Sequence, residues 1–206
     1  LPAGVRDTVV GAILDRKNVL ISGGTGSGKS TALNAFARHV PASDRIISIE
    51  KPIELELPHS NTLRWEACDP LPGRPEITVT HLLTAALRQR PDRIIIGEVR
   101  DPSAYDMLQA MNTGHSGSMT TVHADSALLA LNRISTLALA RYPNLDHAFV
   151  REQTAEAIHF VLHVNRDRTG FRRVTELVEV RGYNGRTNTF EVESLYRWHS
   201  PSAAVA

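Results

Sequence analysis

Nine consecutive residues, Gly23-Gly24-Thr25-Gly26-Ser27-Gly28-Lys29-Ser30-Thr31, carry the plainest chemistry in this chain. From Gly23 to Ser30 they fit the pattern G-x-x-x-x-G-K-[ST]. Glycines let successive backbone N–H groups curl around phosphate oxygens, and a helix starting there adds the positive end of its dipole. Lys29 would reach the β- and γ-phosphates, and the Ser30 hydroxyl would bind Mg²⁺. A glycine-rich turn can match the pattern by chance, so the flanks decide. Asn18–Ser22 reads as a short buried strand running in, and Lys29–His39 as a helix running out. The stretch predicts a nucleoside triphosphate site.

Triphosphate hydrolysis needs bound Mg²⁺, a group that orients the attacking water, and cations for charge developing on the γ-phosphate. Glu98 follows the apolar strand Arg93–Ile96 and can act on water or on Mg²⁺; its bland reading is a solvated strand-end carboxylate paired with Arg100. Asp92 precedes that strand and so lies at its wrong end. Glu50 ends the strand Arg45–Ile49 in the same way as Glu98, with Glu54 four residues on. Either could hold a water, and structural salt-bridging is the rival reading for Glu54. His123 follows the strand Ser118–Val122, and His115 sits in the small-residue turn Thr113–Gly117. A histidine in either place can donate to a γ-phosphate and sense its presence. His59, His81, His147, His159, His163 and His199 lack such context. Arg64, Arg88, Arg90, Arg93 and Arg100 are available as the completing cation, with Arg64 the first choice. There is no Cys/His metal-ligand cluster and no Ser-His-Asp set.

The elements that must position these groups alternate strand and helix for two-thirds of the chain. Gly4–Lys17 reads as a helix with Val5, Val9, Ile13 and Leu14 on one side. Lys51–Ser60 reads as irregular, Thr62–Glu66 as a short strand, and Cys68–Pro75 as loop. Thr78 or Thr80 caps a helix that Pro91 stops. Asp101-Pro102-Ser103 opens another, and two more cover Ser126–Arg141 and Asp146–Ala157. The tail alternates like antiparallel strands at Phe160–Asn165, Arg173–Val180 and Phe190–Tyr196, with turns at Arg168-Thr169-Gly170 and Asn184-Gly185. The predicted fold class is α/β, a P-loop NTPase with a mostly parallel sheet flanked by helices and a helical and antiparallel β appendage. Residues 1–157 are expected to form the core with its following helices, and residues 158–206 the antiparallel part of the same domain. Ligands of such sheets sit beyond the carboxyl ends of the strands. Glu50, Glu98 and His123 all end strands there, facing the loop.

Composition agrees and adds exclusions. With 206 residues, 42% hydrophobic and 22% charged, the chain suits one domain with a good core. A formal net charge of +1 gives no global signal for nucleic acid or a membrane surface. Cys68 is the only cysteine, which excludes an internal disulfide. No apolar run approaches the roughly 18 residues of a transmembrane segment. The chain begins at Leu1 without Met, so an upstream domain is expected.

These residues resemble the ring-forming ATPases of bacterial type II and type IV secretion and pilus assembly, most closely the tight-adherence (Tad) pilus branch. The resembling text is "LISGGTGSGKST" at Leu20–Thr31, "RIISIEKPIEL" at Arg45–Leu55, "LRQRPDRIIIGEVR" at Leu87–Arg100 and "YDMLQAMNTGHSGSMTTVHA" at Tyr105–Ala124. "VREQTAEAI" at Val150–Ile158 and "RRVTELVEV" at Arg172–Val180 extend it. The resemblance implies a RecA-like domain that binds ATP and Mg²⁺. It puts Glu50 and Glu54 in an acidic "Asp box", Glu98 in an atypical Walker B, and His115 and His123 in a "His box". It further implies a homo-oligomer, a hexameric motor on the cytoplasmic face of the inner membrane that works with inner-membrane platform proteins. No stable nucleic-acid partner is expected. Two departures stand out. Lys51 follows Glu50 where the family reads I-E-D-P, and a lysine there could pair with Glu50 and weaken its hold on water or Mg²⁺. Ala67-Cys68 stand where a second arginine is expected, with Arg74 as a substitute. Rival readings are a DNA-linked conjugation translocase and a nucleotide-binding assembly subunit with little hydrolysis, the latter motivated by Lys51. A small-molecule kinase would need a lid or acceptor signature that the sequence lacks.

Overall fold

Four short strands are buried along their whole length: β1 (Val19–Ser22), β2 (Ile46–Glu50), β4 (Arg93–Ile96) and β5 (Met119–Val122). A strand buried on both faces needs a covering layer on each side, which is the circumstance of a parallel sheet between helices. The computed structural model, which describes residues 2–167 and 169–198, has that form. With β3 (Thr62–Glu66), β6 (Phe160–Arg166), β7 (Arg172–Asn184) and β8 (Thr189–Arg197) the strands make one sheet, ordered β3-β2-β4-β5-β1-β6-β7-β8. Every pairing from β3 to β6 is parallel, and β7 and β8 return antiparallel.

The last three strands are antiparallel to one another as the sequence suggests, but β6 also pairs parallel with β1, from Val19 opposite Phe160 to Ser22 opposite His163. The C-terminal strands therefore continue the central sheet. The β6–β7 turn is described at Thr169 and Gly170, where Gly170 N–H donates to Asp167 O; Arg168 and His199 lie outside the described residues.

The helices are α1 (Ala3–Leu14), α2 (Lys29–Ala37), α3 (Val79–Ala86, continued by a 3₁₀ turn at Leu87–Gln89), α4 (Ser103–Asn112), α5 (Ala127–Leu139) and α6 (His147–Ala157). Two apolar clusters lie on the two faces. Leu20, Ile47, Ile49, Ile94 and Ile96 pack against α3, α4 and α5, whereas Val19, Ile21, Ile46, Ile95 and Met119 pack against α1 and α2. The period-2 alternation along β1 divides it between the two. Leu14 corrects the sequence reading. It was expected beside Ile13 in the core, yet it is 55% exposed. One residue past Ile13 is a rotation of about 100° around the helix, enough to leave the buried stripe. Thr78 rather than Thr80 caps α3: its hydroxyl accepts from His81 N–H, and the His81 ring closes the box on Thr78 N–H. Because β1, β2, β4 and β5 run in one direction, the phosphate-loop sequence, Glu50, Glu98 and His123 all emerge at one edge.

Candidate active site

The loop leaves β1 beside the carboxyl end of β6, against Val164. A Cβ on Gly23 would lie 2.2 Å from Val164 O and 2.5 Å from Ser27 Oγ, so no other residue fits without moving backbone. Gly28 caps α2 with φ of 100°, in the left-handed region that favours glycine. The first turn of α2 then presents its unpaired N–H groups to the loop's mouth. Ser27 Oγ is buried there and, among the described residues, has no hydrogen-bond partner. Lys29 folds back, with Nζ donating to Gly23 O at 3.1 Å and Gly24 O at 3.0 Å and lying 3.4 Å from His123 Nε2. Burial lowers the Lys29 pKa, Glu98 opposes that shift, and Arg100 adds to it. An ammonium already desolvated and held by two carbonyls is suited to trade them for phosphate oxygens.

Across the mouth stand the carboxylates. Glu98 Oε2 accepts from Arg100 Nη2 at 2.7 Å, so the pairing with Arg100 is real. Its Oε1 lies 2.8 Å from His123 Nε2 but outside hydrogen-bond alignment, so that among the described residues this buried oxygen makes no hydrogen bond. Glu50 is 3% exposed; its Oε2 accepts the N–H groups of Glu54 and Leu55, both at 2.8 Å, and its buried Oε1 has no hydrogen-bond partner among the described residues. A Cβ on Gly97 would come within 3.0 Å of Glu50 Cγ, so the ends of β2 and β4 meet closely. Ser30, Glu50, Glu54 and Glu98 line one cleft, and Thr25, Gly26, Lys29, Thr31 and His123 border its continuation along the loop. Glu54 is exposed and, among the described residues, makes no ion pair.

Two buried carboxylate oxygens without an aligned hydrogen bond among the described residues, beside a serine hydroxyl and a phosphate cradle, fit Mg²⁺, which keeps waters and takes one or two carboxylates plus substrate phosphates. Among the described residues no cluster of three or more His, Cys, Asp or Glu would hold a metal alone, so phosphate would have to complete the shell. Glu50, Ser30 and Glu98 could hold the ion, partly through water.

Several expected residues are placed elsewhere. His115 precedes β5 and lies at the opposite, amino edge of the sheet. Its neighbours Gly117 and Ser118 donate N–H groups to Asn18 Oδ1 at the entry to β1, and its Nδ1 lies 3.3 Å from Ala110 O. Lys51 does not pair with Glu50; it turns outward to Asp69, and that contact raises its pKa. Arg64 is on the edge strand β3 and donates to Leu55 O rather than reaching the loop. Arg93 is fully buried at the amino edge, bound to Asp44 at 2.7 Å and to Ile13 O at 2.7 Å, a structural role. Arg88 and Arg90 precede β4 and share that edge, and Arg74 belongs to the small bridge Leu71–Arg74. One residue that sequence reasoning passed over does reach the loop: Arg172 Nε donates to Gly26 O at 3.0 Å.

A phosphate loop between strand and helix, at the carboxyl edge of a mostly parallel sheet with glutamates on neighbouring strand ends, defines a RecA-like P-loop nucleotide-binding protein. The family follows from comparison: the profile described as Type II/IV secretion system protein matches residues 7–194, and the chain belongs to that family. It is 37% identical over 185 residues to the conjugal transfer protein TrbB of Rhizobium radiobacter, covering 88% of this chain and 53% of that one. Among solved structures it is similar to the VirB11 ATPase of the Brucella suis type IV secretion system, in complex with sulphate. There the TM-score is 0.78 and the identity 30%, over 85% of this chain and 52% of the other. The pilus retraction motor PilT with bound ADP aligns with a TM-score of 0.66 and 28% identity, over 91% of this chain and 53% of the other. The chain spans about half the length of the curated relatives it matches. Among the described residues no helix is long and apolar enough to cross a membrane.

Proposed function

We propose that this chain is the motor domain of a ring-forming ATPase that hydrolyses ATP with Mg²⁺ to drive type IV secretion or assembly of a pilus. The observation that carries this reading is the pair of buried carboxylate oxygens that make no hydrogen bond among the described residues, Glu50 Oε1 and Glu98 Oε1, in the cleft that Ser30 and Lys29 border. Backbone N–H groups of the loop and the Lys29 ammonium hold the phosphates, with Lys29 releasing Gly23 O and Gly24 O as it does so. The Ser30 hydroxyl, with Glu50 and Glu98 through water, would hold a Mg²⁺, which would supply positive charge to offset that of the transferred phosphoryl. Glu98 Oε1 accepts a proton of the attacking water and orients it. His123, between Lys29 and Glu98, responds to the γ-phosphate and changes how freely Glu98 moves. Arg64 lies on the exposed edge strand, from which it would complete the site of a neighbouring subunit in a hexamer. Such a ring would work at the cytoplasmic face of an inner membrane with platform proteins set in it.

The relatives named for conjugal transfer and type IV secretion give more weight to that side of the family than to the tight-adherence branch. TrbB's name also supports a second reading, a DNA-linked conjugation motor, and stimulation of ATP turnover by single-stranded DNA would favour it. The assembly-subunit reading loses its motive, since Lys51 is turned away from Glu50. The test is phosphate release against protein concentration for the full-length protein and a Glu98→Gln variant. Turnover rising more steeply than concentration and lost in the variant is expected. ATP binding with no turnover at any concentration would overturn the motor reading.

A further inference from the structure

Arg172 and Arg173 open β7 side by side and take opposite directions, as successive strand residues must. Arg173 is fully engaged: its guanidinium pairs with Asp167 at 2.9 Å and lies over the rings of Phe171, at 5.5 Å, and Trp198, at 5.0 Å. Arg172 turns to the phosphate loop. Its Nε donates to Gly26 O at 3.0 Å, and its Cδ lies 3.3 Å from where a Cβ on Gly28 would stand, so the side chain is laid across the loop. Among the described residues no carboxylate pairs with it. Neither Nη atom makes a hydrogen bond there, so most of the five guanidinium donors are free. It borders the stretch of the cleft that runs along the loop with Lys29, Ser30, Glu98 and His123, whereas Arg100, which lines the adjoining stretch, is already paired with Glu98.

We propose that Arg172 is a nucleotide-binding residue, its free Nη donors taking phosphate oxygens of a bound nucleoside polyphosphate from within the same chain. The proposal rests on the nucleotide reading above. A guanidinium presents a planar fork matched to phosphate, and here it is held beside the cradle by one backbone bond before any ligand arrives. The β6–β7 hairpin, whose first strand pairs with β1, thereby becomes part of the nucleotide site.

The test is titration of the purified protein with Mg-ATP and with ADP, for wild type, Arg172→Ala, Arg172→Gln and Arg172→Lys, with melting temperature measured beside each. Loss of a charge-assisted phosphate contact is expected to weaken binding by about 10- to 100-fold in the Ala and Gln variants. Lys, which keeps the charge, should lose less, and melting should not move. Gln can still donate to Gly26 O, so wild-type affinity in Arg172→Gln would mean a loop tether only and would overturn the proposal. Equal binding by all four proteins would also overturn it and leave the nucleotide reading standing. A wild type that binds neither ATP nor ADP would overturn both.

Discussion

Glu50 holds two positions at once, and substitutions can separate them. Its Oε2 fixes the segment after β2 through the N–H groups of Glu54 and Leu55, while its Oε1 is the free acceptor proposed to hold water or Mg²⁺. In Glu50→Ala the Leu55 N–H is stranded, because Leu55 is 1% exposed, whereas exposed Glu54 can pass its N–H to water. One charge-assisted bond lost together with an unsatisfied donor costs about 2–4 kcal/mol. For a domain of this size that lowers the melting temperature by about 5–15 °C. In Glu50→Gln the amide oxygen can still accept both N–H groups, so the fall should stay under about 4 °C. The amide nitrogen then replaces Oε1 and can neither accept from water nor approach Mg²⁺. Phosphate release should drop by about 100- to 10,000-fold, while ATP affinity stays within about threefold of wild type. Thermal melts, nucleotide titration and phosphate release on the three proteins settle it. Turnover in Glu50→Gln within tenfold of wild type would refute the role given to Oε1. An unchanged melting temperature in Glu50→Ala would refute the role given to Oε2.

Two more expectations follow from the same geometry. Lys51 and Asp69 form an exposed pair, so Lys51→Ala should change phosphate release by less than about twofold and melting very little; a large gain of turnover in Lys51→Asp would show that the lysine does restrain Glu50. Burial lowers the pKa of His159, with Lys17 adding to the shift and Glu179 opposing it. Burial does the same to His163, with Glu176 and Asp125 opposing and Lys29 adding. The unfolded histidines titrate near 6.5, so below that pH the unfolded chain binds more protons than the folded one. Stability should therefore be full above pH 6.5 and decline as pH falls below it. Melting at pH 5.5 should lie below melting at pH 7.5, and by less in His163→Asn; a flat profile between those values would refute the assignment.

What the sequence made legible was whatever follows from strand polarity. An apolar run ending in a polar side chain, inside a parallel sheet, must deliver that side chain to the carboxyl edge, and Glu50, Glu98 and His123 arrive there together. Asp92 was discounted on the same rule, since it precedes its strand. The rule applied with equal force to His115, which precedes β5 and ends up beside Asn18 at the amino edge. His115 and His123 flank one strand, so the four residues of β5 put them at its opposite ends. Lys51 shows the same error at shorter range: adjacent residues leaving a strand point to opposite sides, so Glu50 turns inward to the cleft and Lys51 outward to Asp69.

Arg172 was illegible for a different reason. Alternating patterns identified the last three strands, but alternation does not name a strand's partner. Only the parallel pairing of β6 with β1 makes β6 finish at the carboxyl edge, and only then must the returning β7 begin there. Once that pairing is known, the first residues of β7 have to lie beside the phosphate loop, and the pleat decides between Arg172 and Arg173. The phosphate loop's strand is thus read twice, once by its own chain direction and once by the neighbour it recruits from about 140 residues away. The cation that the second reading supplies comes from the same chain, so nucleotide affinity should depend on Arg172 even in a monomer, whereas any dependence on Arg64 should appear only when subunits assemble.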